Sequence, residues 1–82
     1  GSQLKLNFST SAAGSLRVEI QKADGSPIPG FTMQDCQPVI GDKIDGAVRW
    51  KNDPDLAGLA GQLVRLKFEL LECDLYSFQF DR

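Results

Sequence analysis

Histidine is missing from this sequence altogether. With it go the commonest general base and the commonest transition-metal ligand, so histidine-dependent nucleophilic triads and His-bearing zinc sites are excluded. Cysteine is scarce: Cys36 and Cys73 are the two present, far apart and in no CxxC pair. A four-thiolate zinc site is therefore impossible. Buried free thiols are preferred over a disulfide, because cysteine packs as a small apolar residue and a bridge needs a Cα spacing that sequence alone does not establish. No apolar run approaches the length needed to span a bilayer, and no basic region followed by an apolar stretch opens the chain, so no signal peptide is read. Neither sign of charge dominates: nine Lys and Arg against eleven Asp and Glu leave a net charge of −2. That balance argues against nucleic-acid binding, which needs a basic footprint.

What is present fits one small globular domain. The apolar fraction of 41% over 82 residues is too high for a disordered chain. A domain of this size buries only about 60–65% of its unfolded surface, so its core must be used efficiently. Gly1-Ser2 reads as a remnant of tag cleavage, leaving residues 3–82 as the domain. The chain reads as part of something longer.

Period-two alternation runs through the sequence. Gln3 to Ser9 predicts a strand with Leu4, Leu6 and Phe8 on one face. The small polar stretch Ser9 to Ser15 predicts a loop. Ser15 to Lys22 predicts a second strand with Leu16, Val18 and Ile20 inward and Arg17, Glu19 and Gln21 outward. Ala23-Asp24-Gly25-Ser26 carries an Asp-Gly turn signal, and Pro27-Ile28-Pro29-Gly30-Phe31 fits an extended edge. Thr32 to Cys36 suits a single helical turn. Ile44 to Lys51 predicts a strand in which Val48 and Trp50 share parity, and Asn52-Asp53-Pro54-Asp55 is a strong turn. Asp55 to Gly61 winds at most briefly, since two glycines in seven residues oppose a stable helix. Gln62 to Leu71 alternates best of all, with Val64, Leu66, Phe68 and Leu70 against Arg65, Lys67 and Glu69. Leu75 to Phe80 predicts a last strand with Tyr76, Phe78 and Phe80 on one face. The expected fold is all-β: a small antiparallel, jelly-roll-like β-sandwich of about six to seven strands with no substantial helix.

The outward positions bear on function. None is aromatic, so the platform that stacks on crystalline polysaccharide is missing. Arg17, Arg49, Lys51, Arg65 and Lys67 would make a basic stripe for an acidic glycan, but Glu19 and Glu69 interrupt it, and an ordinary solvated face is preferred. Trp50 is the natural sugar-stacking residue, although its parity with Val48 favours a core ring. Tyr76 sits at a strand start, where its hydroxyl reaches water. Phe31, after Pro29-Gly30, is the aromatic expected to be partly exposed. Asp42 with Asp45, and Asp53 with Asp55, are loop carboxylates of the kind that bind calcium. Turn chemistry is the preferred role for them, because the spacing lacks a calcium-loop pattern, and no cofactor or metal is expected. Glycoside hydrolysis needs two acids facing across a cleft, which so small a sandwich has little room to build, so the chain is not expected to be an enzyme.

The run Leu6-Asn7-Phe8-Ser9-Thr10-Ser11-Ala12-Ala13-Gly14-Ser15-Leu16-Arg17-Val18-Glu19-Ile20-Gln21 resembles a segment near the C-terminus of large glycosidase-like proteins of environmental bacteria, notably planctomycetes. The similarity continues through Ala23-Asp24-Gly25, Pro27 to Phe31 and Asp35-Cys36. It resumes at Gly41-Asp42, Val48-Arg49-Trp50, Asp55-Leu56, Leu59-Ala60-Gly61, Val64-Arg65-Leu66 and Asp74-Leu75-Tyr76-Ser77-Phe78. In such proteins a levanase/invertase-like or sialidase-like β-propeller precedes a β-sandwich. The catalytic acids of the family lie in that propeller, so the resemblance implies a non-catalytic accessory domain and brings over no ligand residues.

A small residue near Cys73 is more usual in the family, which counts against a Cys36–Cys73 disulfide. The family domain also begins upstream of Gln3, which implies missing strands and an exposed edge open to pairing with another copy. Two functions follow as expectations. One is a carbohydrate-binding module in which Asn52, Asp53 and Asp55 hold sugar while Trp50 or Tyr76 stacks on it. The other is a structural or interaction domain that buttresses a catalytic propeller or self-associates without binding sugar. Exposure of Trp50 discriminates between them. The expected partners are a carbohydrate or a neighbouring catalytic domain, with neither nucleic acid nor membrane. The expected location is extracellular or periplasmic, within a larger secreted protein.

Overall fold

The computed structural model describes residues 3–52, 54–59 and 61–81, and the side chains of all of these except 42–45 and 81. The expected tag remnant Gly1-Ser2 and the candidate ligand Asp53 lie outside the described residues. Three strands, β1 (Gln3–Lys22), β2 (Asp42–Ala47) and β3 (Val64–Asp81), form one antiparallel sheet in the order β2-β1-β3. The fold is all-β, and its one helical feature among the described residues is a 3-10 turn at Leu56–Leu59.

Two strands are far longer than expected. The predicted loop from Ser9 to Ser15 does not break the first strand. Thr10 pairs with Cys73 and Ser15 pairs with Leu71, so residues 11–14 of β1 stand opposite Glu72 alone. In this large bulge the small polar residues stay extended but make no ladder pair while the ribbon bends. Glu72 itself takes a left-handed φ of 46°. Gly14 is required there: a Cβ on it would lie 2.5 Å from the Glu72 carbonyl oxygen and 2.6 Å from that of Leu71. The two predicted strands 62–71 and 75–80 are likewise joined through Glu72-Cys73-Asp74 into β3. The predicted strand 44–51 is instead confined to Asp42–Ala47, beyond which Trp50 makes only an isolated bridge to Cys36.

The core is built on one face of β1. Leu4, Leu6, Phe8, Leu16, Val18 and Ile20 are all at most 2% exposed, and burial stabilises each by roughly 1.5–3 kcal/mol. Ile28, Phe31, Val48, Trp50 and Leu56 pack over them from turns and irregular segments. The second layer is therefore made of loops, where the sequence predicts a second sheet. Phe31, expected to be partly exposed, is buried at 5%, because the turn at Gly30 (φ 90°) folds it back over the core. Its ring meets the Trp50 ring edge-on, with centroids 5.2 Å apart.

Loops also supply the backbone partners of the second half of β1, on the side away from β3. Leu16 exchanges two hydrogen bonds of 2.9 Å with Val39. Ile20 N–H donates to Phe31 O, and Ile28 N–H donates to Ile20 O. Between them no backbone reaches Val18. Its N–H donates to the Cys36 sulfur at 3.3 Å, and its carbonyl accepts from Trp50 Nε1 at 3.0 Å. Two side chains thus stand in for a strand and satisfy both backbone polar groups of Val18. The expected turn at residues 23–26 closes this end, with Gly25 at φ 92° donating to Lys22 O.

Candidate interaction surface

Of the residues expected to hold sugar, Asp53 lies outside the described residues, and the other four are spread between the core, a turn and the β3 bulge. Trp50 is 3% exposed beneath Phe31, with its indole N–H committed to Val18. Its parity with Val48 is thus a core parity, and its ring offers no face to a ligand in this fold. Tyr76 lies at the opposite half of β1. Phe8 pairs with Leu75 and Asn7 pairs with Ser77, so Tyr76 is the extra residue of a second bulge. That bulge takes it out of the expected parity with Phe78 and Phe80 and leaves it 69% exposed. Asn52 is exposed with a left-handed φ of 68°, a conformation asparagine tolerates in turns. Asp55 accepts a 2.9 Å hydrogen bond from Ala57 N–H and so caps the 3-10 turn. The side chains of Asp42 and Asp45, like Asp53, lie outside the described residues. Among the described residues, no three of the metal-ligating type come together.

The outward face carries mixed pairs in place of a basic stripe. Register places Arg17 opposite Glu69 and Glu19 opposite Lys67, alternating the signs as sheets favour. Glu19, although on the outward face, is only 9% exposed, because residues 31–34 wrap around the rim of the sheet. Its carboxylate accepts from Gln21 Nε2 at 2.7 Å and from Met33 N–H at 3.0 Å. These two bonds, then Lys67, hold its pKa below the ordinary value against the opposing effect of burial. Towards the other end Asn7 donates to Ser77 Oγ at 2.7 Å.

Both cysteines are free. Burial pushes the Cys36 thiol above its ordinary pKa, offset in part by the Val18 N–H. Cys73 is raised as well, by burial and then by Asp74. For Cys36 the positive charge of Arg17 works in the other direction but is outweighed by burial, so neither thiol is in the low-pKa state that activates a thiolate.

Among the described residues, the outer edge of β3, on the side away from β1, has no partner strand. The even-numbered residues Leu4, Thr10, Leu16, Val18, Ile20 and Lys22 of β1 turn their backbone groups away from β3. In an antiparallel ladder the alternate residues then bond to β3, which pairs Arg17 with Glu69, Glu19 with Lys67 and Gln21 with Arg65. On β3 the groups left pointing outward are those of Leu66, Phe68 and Leu70, and beyond the bulges those of Cys73, Leu75, Phe78 and Phe80. These are also the residues whose side chains face the core side. The covering loops reach β1 fully and β3 only in part. Leu70, Phe78 and Phe80 remain 47%, 50% and 49% exposed, with Phe68 and Phe78 in ring contact at 5.5 Å.

Sequence reasoning places these residues on the inward face and misses that the face is open. Alternation looks the same whether a strand is wholly or half covered. The one available signal is the density of large apolar residues on the last strand, more than the covering segments can bury. Comparison with protein-family models, with curated proteins and with solved structures finds no match to this chain.

Proposed function

We propose that this is a non-catalytic interaction domain, an accessory of a larger carbohydrate-active protein, which docks through the free edge and half-covered face of β3. The observation that carries this function is a strand edge without a partner among the described residues, joined to exposed Leu70, Phe78 and Phe80. An edge that long and apolar is a template for strand addition. A partner strand would give Leu66, Phe68 and Leu70 their missing hydrogen bonds and cover the open side of the core. The jelly-roll-like sandwich of six to seven strands is on this view the assembled state, with strands contributed from outside the chain. The burial of Trp50 supports the same choice, because it withdraws the ring best suited to stacking on sugar.

Amide hydrogen exchange tests this directly. In the domain alone at low concentration, Leu66, Phe68 and Leu70 should exchange fast while Arg65, Lys67 and Glu69 stay protected. Uniform protection along β3 would remove the docking edge. One observation favours a second function, carbohydrate binding: the phenol ring of Tyr76 stands exposed on its bulge. For that function a glycan must bind saturably and lose its binding in Tyr76→Ala, with the Trp50 emission unmoved.

A further inference from the structure

We infer that the partner of the β3 edge is a second copy of this chain, paired β3 to β3 across a two-fold axis near Glu69. This rests on the docking role just proposed and names its occupant. The argument is the order of charges along the strand. The first half of β3 carries Arg65 and Lys67, whereas from Glu69 to Gln79 it carries Glu69, Glu72 and Asp74 and no cation. A parallel copy would set like against like. An antiparallel copy sets the basic half against the acidic half, and a two-fold axis makes that match twice.

The register within each copy sharpens the choice. Lys67 and Glu69 already face opposite charges on β1, Glu19 and Arg17. Arg65 and Asp74 face uncharged neighbours, Gln21 and Ser9, and Glu72 faces the uncharged residues 11–14, so along residues 64–75 the charges that β1 does not match are the cation Arg65 and the anions Glu72 and Asp74. Centring the pair on Glu69 sets Arg65 opposite the partner's Asp74. The two Glu69 side chains meet at the axis, where each is also flanked by its own Arg17, giving a row that runs Arg17, Glu69, and then the partner's Glu69 and the partner's Arg17.

The same alignment satisfies the backbone. Phe68 lies opposite the partner's Leu70, and, after the extra residue at Glu72, Leu66 lies opposite the partner's Cys73 and Val64 opposite the partner's Leu75. All belong to the set whose N–H and C=O groups point out of the edge, as antiparallel bonding requires. The side chains that meet on the core side are apolar throughout. The apolar surface this pairing covers comes from the half-exposed Leu70 and the partly buried Leu66, Phe68 and Leu75, since Phe78 and Phe80 lie beyond the partner's Val64, where its β3 begins. These few side chains fall well short of the roughly 800 Å² per partner of a standard interface, so the dimer is weak and depends on concentration.

The test is sedimentation equilibrium of the 82-residue chain over a wide concentration range, with charge-swapped variants. The expected result is a reversible monomer–dimer equilibrium. Arg65→Asp and Asp74→Arg, taken singly, should each weaken it by about tenfold, since each turns two attractive cross-strand pairs repulsive. The double variant should restore it, an outcome that only pairing of Arg65 with Asp74 across copies produces. Leu70→Lys, which places a charge on the pairing face, should abolish the dimer. Unchanged Trp50 emission in every variant checks that the fold is intact.

A chain that stays monomeric throughout, or a dimer indifferent to the swaps, overturns the self-pairing. Hydrogen exchange then separates the two levels of argument. Fast exchange at Leu66, Phe68 and Leu70 in such a monomer keeps the docking edge and removes only the second copy as its occupant, whereas protected amides there remove both.

Discussion

Replacing Gly14 with alanine should be among the most damaging single-methyl additions this chain can receive. The added Cβ would lie 2.5 Å from the Glu72 carbonyl oxygen, 2.6 Å from the Leu71 carbonyl oxygen and 3.1 Å from the Glu72 carbonyl carbon. All three are backbone atoms of the opposite strand, so no side chain can swing aside to make room. Relief requires β1 and β3 to part at the bulge that joins their two halves. Overpacking of this kind costs roughly 1–3 kcal/mol, and contact with two fixed oxygens puts Gly14→Ala near the upper figure. A domain of this size has a total stability of only about 4–12 kcal/mol. A loss of about 3 kcal/mol would lower the thermal midpoint by roughly 15 °C.

Urea unfolding followed by Trp50 fluorescence measures the loss. Gly58→Ala is the control, since a Cβ at Gly58 meets nothing within 4 Å and its φ is ordinary. If the two variants unfolded at the same midpoint, the close approach of the strands at Gly14 would be refuted. Loss of stability without loss of the far-UV strand signal is expected, since each half of the ribbon keeps its own pairs.

Three further outcomes follow from other contacts. Trp50→Phe keeps a ring against Phe31 but leaves the buried Val18 carbonyl without its donor. It should cost about 1–3 kcal/mol in denaturation followed by circular dichroism, and a neutral result would mean that Val18 finds another partner. Glu19 has a folded-state pKa below its unfolded one. Its contribution is therefore present above the ordinary glutamate range and is lost as pH falls through the depressed value. Glu19→Gln should flatten that acid limb of the stability–pH curve relative to the parent, and parallel curves would deny Glu19 the role. Thiol titration under native conditions should separate a slow Cys36, buried at 3% exposure, from a faster Cys73, both reacting at once after unfolding. A single native phase would contradict the difference in burial.

The core of β1 was legible because it needs only parity. Leu4, Leu6, Phe8, Leu16, Val18 and Ile20 alternate, and all are buried. The turn at Gly25 and the brief winding after Asp55 were legible for local reasons, an Asp-Gly pair and an aspartate cap. Strand continuity was not. Residues 11–14 are small and polar, and the strand runs on through them only because Glu72, some sixty positions away, stands opposite them in a bulge. A local pattern cannot register a partner at that separation. Tyr76 left its expected face for the same kind of reason, since one extra residue against β1 reverses parity.

Phe31 shows the opposite failure. Its flanking proline and glycine suggest exposure, and the turn they make is what returns the ring to the core. Of the candidate sugar ligands, Trp50 was legible as a core ring, whereas Asn52 and Asp55 prove to serve turns. The open face of β3 was hidden because a strand's own sequence says which side is apolar and not how far the opposing layer extends.

The two rims of the sheet differ in a way that bears on how far any assembly can grow. On one rim Cys36 and Trp50 occupy the bonding positions of Val18, and turns occupy those of Leu16 and Ile20. The remaining stretch there is the six-residue β2, a short template. The other rim is β3 along its whole length. A sheet that can lengthen in one direction only would use up its growth site in the first encounter if it joined like to like. On the self-pairing inferred above, the product would be a pair of three-stranded halves, six strands wide, whose longest edge is already occupied. The side chains that satisfy Val18 thus act as a stop against fibre formation, and removing them should matter as much for solubility at high concentration as for the stability of one molecule.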